Sequence, residues 1–311
     1  MITIISENSD IASNEVIENL ISLNIPFIRK NEVEFYAFSY NIQNEEIKES
    51  NVFWHRRGQL YLNPKEILIR ELAGFVTNEE LIINYSFEKI NKKINNFYIG
   101  GVFDEDVHEK VLDLYIAKEC GLKIPETLIT NIKEDLVYFK NKYERIITKP
   151  IKNPYIYIEK EEIYFTSHNF LIEDNHIEQV DDYFAISKFQ EYIEKEIEIR
   201  VFYFDKVFFS MAIFSQNNDK TKIDYRNYNV DKQNKEVPFT LPKYVERKLK
   251  KILKKKNINT CSIDLILTPE NEFVFLEINP QGQFGWLSKN CNYYIEEFIA
   301  QKLIANEKVN K

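Results

Sequence analysis

Apolar residues fall along this chain in short runs whose spacing changes from element to element. Ile2 to Ile5 is a strand-length run and Pro26 to Arg29 a second; between them Val16, Ile17, Leu20 and Leu23 recur at helical spacing behind Ser13, a capping residue. The pattern predicts a β-α-β opening. A strand is predicted over Asn51 to Trp54 and a helix from near Pro64, while Thr77-x-x-Glu80 reads as the capping box of another helix. Gly100-Gly101 closes this first region.

Val107, Val111, Leu112, Leu114 and Tyr115 predict one helix over Asp104 to Cys120, stopped by Gly121, with Lys110 in its first turns. Short strands follow at Leu128 to Thr130, Arg145 to Lys149, Tyr155 to Ile158 and Ile163 to Thr166, the pattern of a small α+β unit. From Phe184 onward strands dominate, and Val201 to Phe204 with Val207 to Phe214 predicts a hairpin about Asp205-Lys206. Val245, Leu249, Ile252 and Leu253 form the apolar stripe of a helix reaching Lys256. The basic residues around that stripe, from Arg247 to Lys256, read as its solvated face.

At 311 residues the chain is near the length at which single cores divide into subdomains, and 44% hydrophobic with 29% charged residues describes a folded body. No run approaches the roughly 20 apolar residues of a membrane span, and the opening lacks the basic start of a signal peptide. A cytoplasmic protein with no membrane partner is expected. The net charge of −8 argues against nucleic acid and suits a basic peptide or a metal nucleotide better. Cys120, Cys261 and Cys291 contain no C-x-x-C pair, and His55, His108, His168 and His176 show no metal-ligand spacing. The scattered glycines form neither a Walker P-loop nor a dinucleotide fingerprint, so a bound nucleotide must be held by other groups.

Two β-prone runs flank a polar turn containing Pro269 and Asn271. A hairpin centred between Glu270 and Asn271 pairs Asp264 with Glu277, and Asn279 shares the face of Glu277. Opposed carboxylates among apolar residues repel, and a divalent cation resolves the conflict: two carboxylates and an amide oxygen are the hard ligands Mg²⁺ takes. The plain alternative is a solvent-facing sheet with chance acids. Lys149 ends an apolar strand before Pro150, where its ammonium either enters a cleft toward phosphate or snorkels to the surface; Lys110 has the same two readings. Gln190, Glu191, Tyr192 and Ile193 run between regions without glycine or proline, an extended segment whose backbone groups suit an adenine edge. Glu198 and Arg200 share a strand face, suited to ribose or metal and to phosphate respectively, or to an ion pair.

In order, and over nearly the whole chain, these residues resemble the ATP-grasp superfamily. Lys110 followed by Ala117, Gly121, Pro125 and Thr127 is similar to its lysine helix and G-x-x-x-P-x-T exit, and Lys149-Pro150 to its second phosphate lysine. Gln190 to Ile193 resembles its adenine hinge, and Asp264, Glu277 and Asn279, in D-x(12)-E-x-N spacing, its metal ligands. Trp54-His55-Arg56-Arg57, Asp224-Tyr225-Arg226 and Asn279-Pro280-Gln281-Gly282-Gln283-Phe284 resemble the peptide-macrocyclising branch, the microviridin-type (graspetide) ligases and the maturases of GRASP-with-SPASM systems. Ile4-Ile5-Ser6-Glu7-Asn8 with Ser13-Asn14-Glu15-Val16 is closest to the latter, whereas Ile151 to Phe165 departs from the family in lacking the glycines of many ATP-grasp lids.

The resemblance implies a mixed α/β and α+β ATP-grasp fold: an N-terminal α/β domain over residues 1–105, a central lid over 106–185 and a C-terminal α+β domain over 186–311. It implies a ligase using ATP and Mg²⁺, in which a carboxylate becomes an acyl phosphate and a hydroxyl or amine displaces phosphate. Lys110 and Lys149 then hold the phosphates, Arg200 and Arg226 face the transferring phosphoryl group, and Asp224 orients Arg226 or receives a proton. Arg56 and Arg57 lie on opposite faces if Asn51 to Arg57 is a strand, so at most one reaches the cleft, to fix the acceptor carboxylate or to form a structural ion pair. The implied partner is a precursor peptide with leader and core; the resemblance also admits a homodimer and a radical SAM/SPASM partner enzyme. A ligase of free amino acids or amines and a non-catalytic nucleotide-binding protein are the alternatives.

Overall fold

The computed structural model describes residues 1–31, 39, 51–62, 72–95, 97–101, 109–152, 155–158, 163–166, 169–216 and 234–309. The expected helix from near Pro64, the first turn of the helix before Cys120, and Asp224 and Arg226 lie outside these residues.

Four parallel strands make the first sheet, in the order β2-β1-β3-β4: β1 Ile2–Ile5, β2 Phe27–Lys30, β3 Val52–His55 and β4 Phe97–Gly100. Every residue of β1, β3 and β4 is buried, which is why parallel strands read as nearly unbroken apolar runs. Helix α1, Ile11–Ser22, is capped by Asp10, whose carboxylate accepts from the Ser13 backbone N–H at 3.2 Å. Ser13 itself sits inside the first turn: the anionic side chain three residues earlier takes the cap and also receives the Ser13 hydroxyl. Helix α2, Ala73–Ile94, runs unbroken through Thr77 and Glu80, so the expected capping box is no boundary; the Glu80 carboxylate instead accepts from the Leu62 N–H.

The second sheet has the order β5-β10-β6-β9, from Thr127–Ile132, Tyr183–Glu191, Ile146–Thr148 and Phe170–Ile172. A separate hairpin, β7 Tyr155–Ile158 with β8 Ile163–Thr166, adjoins it in sequence. With helices α4, Lys133–Lys142, and α5, Asp174–Glu178, this unit closes a core of its own around Leu136, Phe139, Ile146, Ile172, Ile177 and Phe189. Helix α3, Lys110–Glu119, precedes it in sequence but packs on the third sheet, joining the core there through Leu114 and Ala117.

That third sheet is antiparallel, in the order β13-β12-β11-β14-β15: Lys235–Phe239, Val207–Phe214, Ile197–Phe204, Thr260–Leu267 and Phe273–Asn279. Strand alternation gives it two different faces. Ile199, Val201, Tyr203, Ile263 and Leu265 meet α3 and the stripe Val245, Leu249, Ile252 and Leu253 of helix α6, Lys243–Lys256. Phe202, Phe204, Met211 and Ile213 point the other way, into one core with Ile2, Ile4, Val52, Trp54, Phe97 and Ile99 of the first sheet. Helix α7, Gly285–Cys291, and helix α8, Ile295–Val309, complete that shared core with Leu287, Ile299 and Leu303.

Phe284 sits at the junction, fully buried and stacked on Phe202 with ring centroids 4.4 Å apart. Truncating it leaves a cavity between the first and third sheets. Phe284→Ala is expected to lower unfolding free energy by about 3–5 kcal/mol, read as a shift of the urea midpoint. A change below about 1 kcal/mol would show that the two sheets do not depend on this core.

Candidate active site

Hairpin β14-β15 sets Asp264 opposite Glu277, as the sequence spacing predicts. The turn is not the one expected. Leu267 pairs with Phe273, which centres the connection on Glu270, and an irregularity between Asp264 and Leu265 restores the register. Leu265 pairs with Phe275 but Asp264 with Glu277, leaving Leu276 as the extra residue of a bulge. The bulge turns Glu277 and Asn279 onto the face of Asp264; unbroken alternation from Phe275 would have turned Glu277 into the core.

Each carboxylate of the pair has a cation. Arg200 lies directly across from Asp264 on β11, its Nη1 2.8 Å from both carboxylate oxygens. The Lys110 Nζ at the start of α3 is 3.1 Å from Glu277 Oε2. Asn279 Nδ2 lies 3.5 Å from an oxygen of Asp264 and 3.5 Å from one of Glu277. The donor set fits Mg²⁺: two carboxylates converge with an amide that presents its oxygen after a half-turn of the side-chain plane. Gly282 keeps this corner tight, since a Cβ there would fall 2.3 Å from Ser262 Oγ and 3.1 Å from Arg200 Nη2.

One cleft between the second and third sheets is lined by Lys149, the segment Gln190 to Ile193, Glu198, Asp264 and Glu277. The hinge is held from both sides: the Glu191 N–H donates to the Glu126 carbonyl at 3.0 Å and the Tyr192 N–H to the Arg145 carbonyl at 2.9 Å. Those two donors secure the sheet edge. Gln190, almost fully buried, donates from Nε2 to Thr127 Oγ1 at 2.9 Å, and its Oε1 is buried without a hydrogen-bond partner among the described residues. Glu198 and Arg200 share a face as expected, and among the described residues each has other partners, Arg200 pairing with Asp264. Glu198 Oε1 accepts from Lys195 Nζ at 2.7 Å and Ser215 Oγ at 2.6 Å.

Arg56 and Arg57 stand apart from this cleft. Strand β3 ends at His55, so alternation no longer governs the two arginines, and both turn toward the same loop. Arg56 reaches Gln281 Oε1 and Gln283 Oε1 at 3.4 Å and lies over the Phe284 ring, and Arg57 Nη2 donates to the Gln281 carbonyl at 3.1 Å. Asp10 approaches both guanidinium groups, at 3.4 and 3.9 Å. Only the premise of opposite strand faces is corrected: neither arginine lines this cleft, and the two meet one loop together.

Two lysines of the site were not singled out from the sequence. Lys195 is the buried partner of Glu198. Lys188 is only 2% exposed on β10, two residues before Gln190 and hence on the same strand face. Its spacing from Gln190 was the available signal. Burial, with Lys149 and Lys110 as cationic neighbours, pushes its ammonium down from 10.5 to about 7, against an upward pull from Glu277.

No family model matches the sequence. No curated protein matches it. Solved structures do. The macrocyclase MdnC of Microcystis aeruginosa MRC, bound with its precursor peptide MdnA, superposes with a TM-score of 0.80 at 25% identity, covering 98% of this chain and 99% of that one. A RiPP-associated ATP-grasp ligase of Chryseobacterium gregarium, in complex with ADP and a leader and core peptide, gives 0.82 at 24%, covering 98% and 96%. The ATP-grasp ligase PsnB, complexed with a phosphomimetic variant of its minimal precursor, Mg and ADP, gives 0.75 at 15%, covering 98% of both. The fold is the ATP-grasp fold, and these three similar structures are a macrocyclase and two ATP-grasp ligases, each solved with a peptide.

The lowered Lys188 pKa has a sign that can be measured. Between about 7 and 10.5 the unfolded chain binds a proton there that the folded chain has released, so the stability of the nucleotide-free protein gains from this group as pH rises. Lys188→Met removes the contribution. The Tm advantage of the variant over wild type is expected to shrink across that window, and a constant difference in thermal scans would contradict it.

Proposed function

We propose that this chain is an ATP-dependent ligase that forms side-chain ester or amide cross-links in a ribosomally made precursor peptide through an acyl phosphate. The carrying observation is the convergence, in one cleft, of Lys149 and the hinge from the second sheet with Glu198, Arg200, Asp264, Glu277 and Asn279 from the third, and with Lys110 from α3. The reading takes residues 1–105, 106–185 and 186–311 as N-terminal domain, lid and C-terminal domain. Among the described residues no helix is long and apolar enough to cross a membrane, and the reading places the protein in the cytoplasm.

A carboxylate oxygen of the peptide attacks the γ-phosphorus, the bond to the bridging oxygen breaks and ADP leaves. A hydroxyl or amine then attacks the acyl carbon, loses its proton and expels phosphate. Both steps gather negative charge, so positioning and electrostatic clamping carry the catalysis. Lys110 and Lys149 hold phosphates, Gln190, Glu191, Tyr192 and Ile193 border the adenine, and Glu198 is placed for the ribose. Mg²⁺, when bound by Asp264, Glu277 and Asn279, neutralises the phosphate oxygens. In this reading Arg200 and Arg226 stabilise the transferring phosphoryl group and the acyl phosphate, and Asp224 orients Arg226 or receives a proton. Arg56 and Arg57 orient the acceptor carboxylate through the loop that follows Asn279. The partner is a precursor peptide, as in the MdnC complex, with leader and core, as in the Chryseobacterium complex; a second copy of the chain and a radical SAM/SPASM enzyme are further partners in this reading.

Glu277→Gln keeps the side-chain shape but removes a ligand charge and the Lys110 ion pair, so turnover is expected to disappear while the circular dichroism spectrum is kept. Full activity would remove Glu277 from the site. Incubation with ATP, Mg²⁺ and a precursor rich in Ser, Thr or Lys and Asp or Glu should give products lighter by whole numbers of water, with one ATP consumed per link. Products that are only heavier would instead mark a ligase of free amino acids or amines.

A further inference from the structure

We infer that Lys188 is a third ammonium of the phosphate cleft, directed at the polyphosphate chain of the bound nucleotide beside Lys110 and Lys149. The inference rests on the reading of the cleft as an ATP site and adds a residue that the sequence resemblance does not assign.

A lysine only 2% exposed has given up nearly all its water, and among the described residues the charges that act on it are two more lysines and one carboxylate, Glu277. That carboxylate is already engaged by Lys110 at 3.1 Å. Burying an ammonium without a carboxylate of its own is unfavourable, and an unbranched apolar side chain of equal length would fill the same space without that penalty. Packing therefore does not account for the charge.

Placement accounts for it. Lys188 and Gln190 share one face of β10, and Lys149 follows β6, the strand paired to β10 through Phe189 and Thr148. Gln190 and Lys149 line the hinge cleft, and Lys149 and Lys188 together line the cavity that adjoins it. Lys188 thus stands on the path from the hinge to the acidic corner, where a nucleotide's phosphates must run if its base lies at the hinge. Among the described residues, the cleft and the side chains paired to it or adjoining it bring Lys110, Lys149, Lys188, Lys195 and Arg200 against Glu191, Glu198, Asp264 and Glu277, a positive excess that a polyanion cancels. In so dry a setting an ammonium-phosphate contact is stronger than at the surface.

The test compares wild type, Lys188→Met and Lys188→Gln by calorimetric titration with AMPPNP and with adenosine, in Mg²⁺, alongside the Tm of each nucleotide-free protein. Loss of a charged phosphate contact is expected to weaken AMPPNP about tenfold or more while adenosine stays within about twofold. The nucleotide-free Tm of Lys188→Met should equal or exceed that of wild type. Unchanged AMPPNP affinity, equal losses for both ligands, or a lower nucleotide-free Tm in both variants would overturn the assignment and make Lys188 a packing residue. Wild-type protein that binds neither ligand would overturn the ATP reading itself, an outcome distinct from those three.

Discussion

Two carboxylates held against each other in a low-dielectric corner dictate much of what surrounds them. Asp264 and Glu277 face across β14 and β15, an arrangement that repels unless each acid has a counter-charge within hydrogen-bond reach. Arg200 supplies one from the adjacent strand, and Lys110 the other from a helix more than a hundred residues away in sequence. That second pairing adds to the apolar contacts of Leu114 and Ala117 that dock α3 on the third sheet instead of the sheet that follows it in the chain. A cation entering between the acids would compete with both of these ion pairs.

The same strand face changes character along its length. On β11, Phe202 and Phe204 fill the core shared with the first sheet, while Arg200 and Glu198, continuing that face, open into the cleft. The first and third sheets are thereby one packed body. The second sheet closes its own core and meets that body at the cleft, contributing Lys149, Lys188 and Gln190. A ligand bound there touches both bodies, and cations contributed by one reach toward acids contributed by the other. The geometry suits a reaction in which charge accumulates on phosphate and must be held without water.

Much of this was legible in the sequence, because strand alternation and spacing are local rules. The pairing of Asp264 with Glu277 followed from the symmetry of two apolar runs about a polar turn, although the bulge at Leu276 that makes the pairing work left no pattern to read. Non-local choices were hidden. Asp10 took the cap of α1 from Ser13, and α2 ran through an apparent capping box, because tertiary contacts of Glu80 and Asn84 with the backbone near Leu60 outweigh a local start signal. Arg56 and Arg57 escaped alternation because β3 stops one residue before them. Lys188 looked like any strand lysine until the fold set two other lysines beside it.

The central claim is that Asp264, Glu277 and Asn279 form the metal corner of a nucleotide cleft between the second and third sheets. The most direct measurement is anomalous diffraction from crystals grown with ADP and Mn²⁺ in place of Mg²⁺. The predicted result is an anomalous peak bonded to oxygens of Asp264 and Glu277, with the ADP phosphates on its other side and the adenine against Gln190 to Ile193. ADP bound elsewhere on the chain, or a peak that touches neither carboxylate, would contradict the claim.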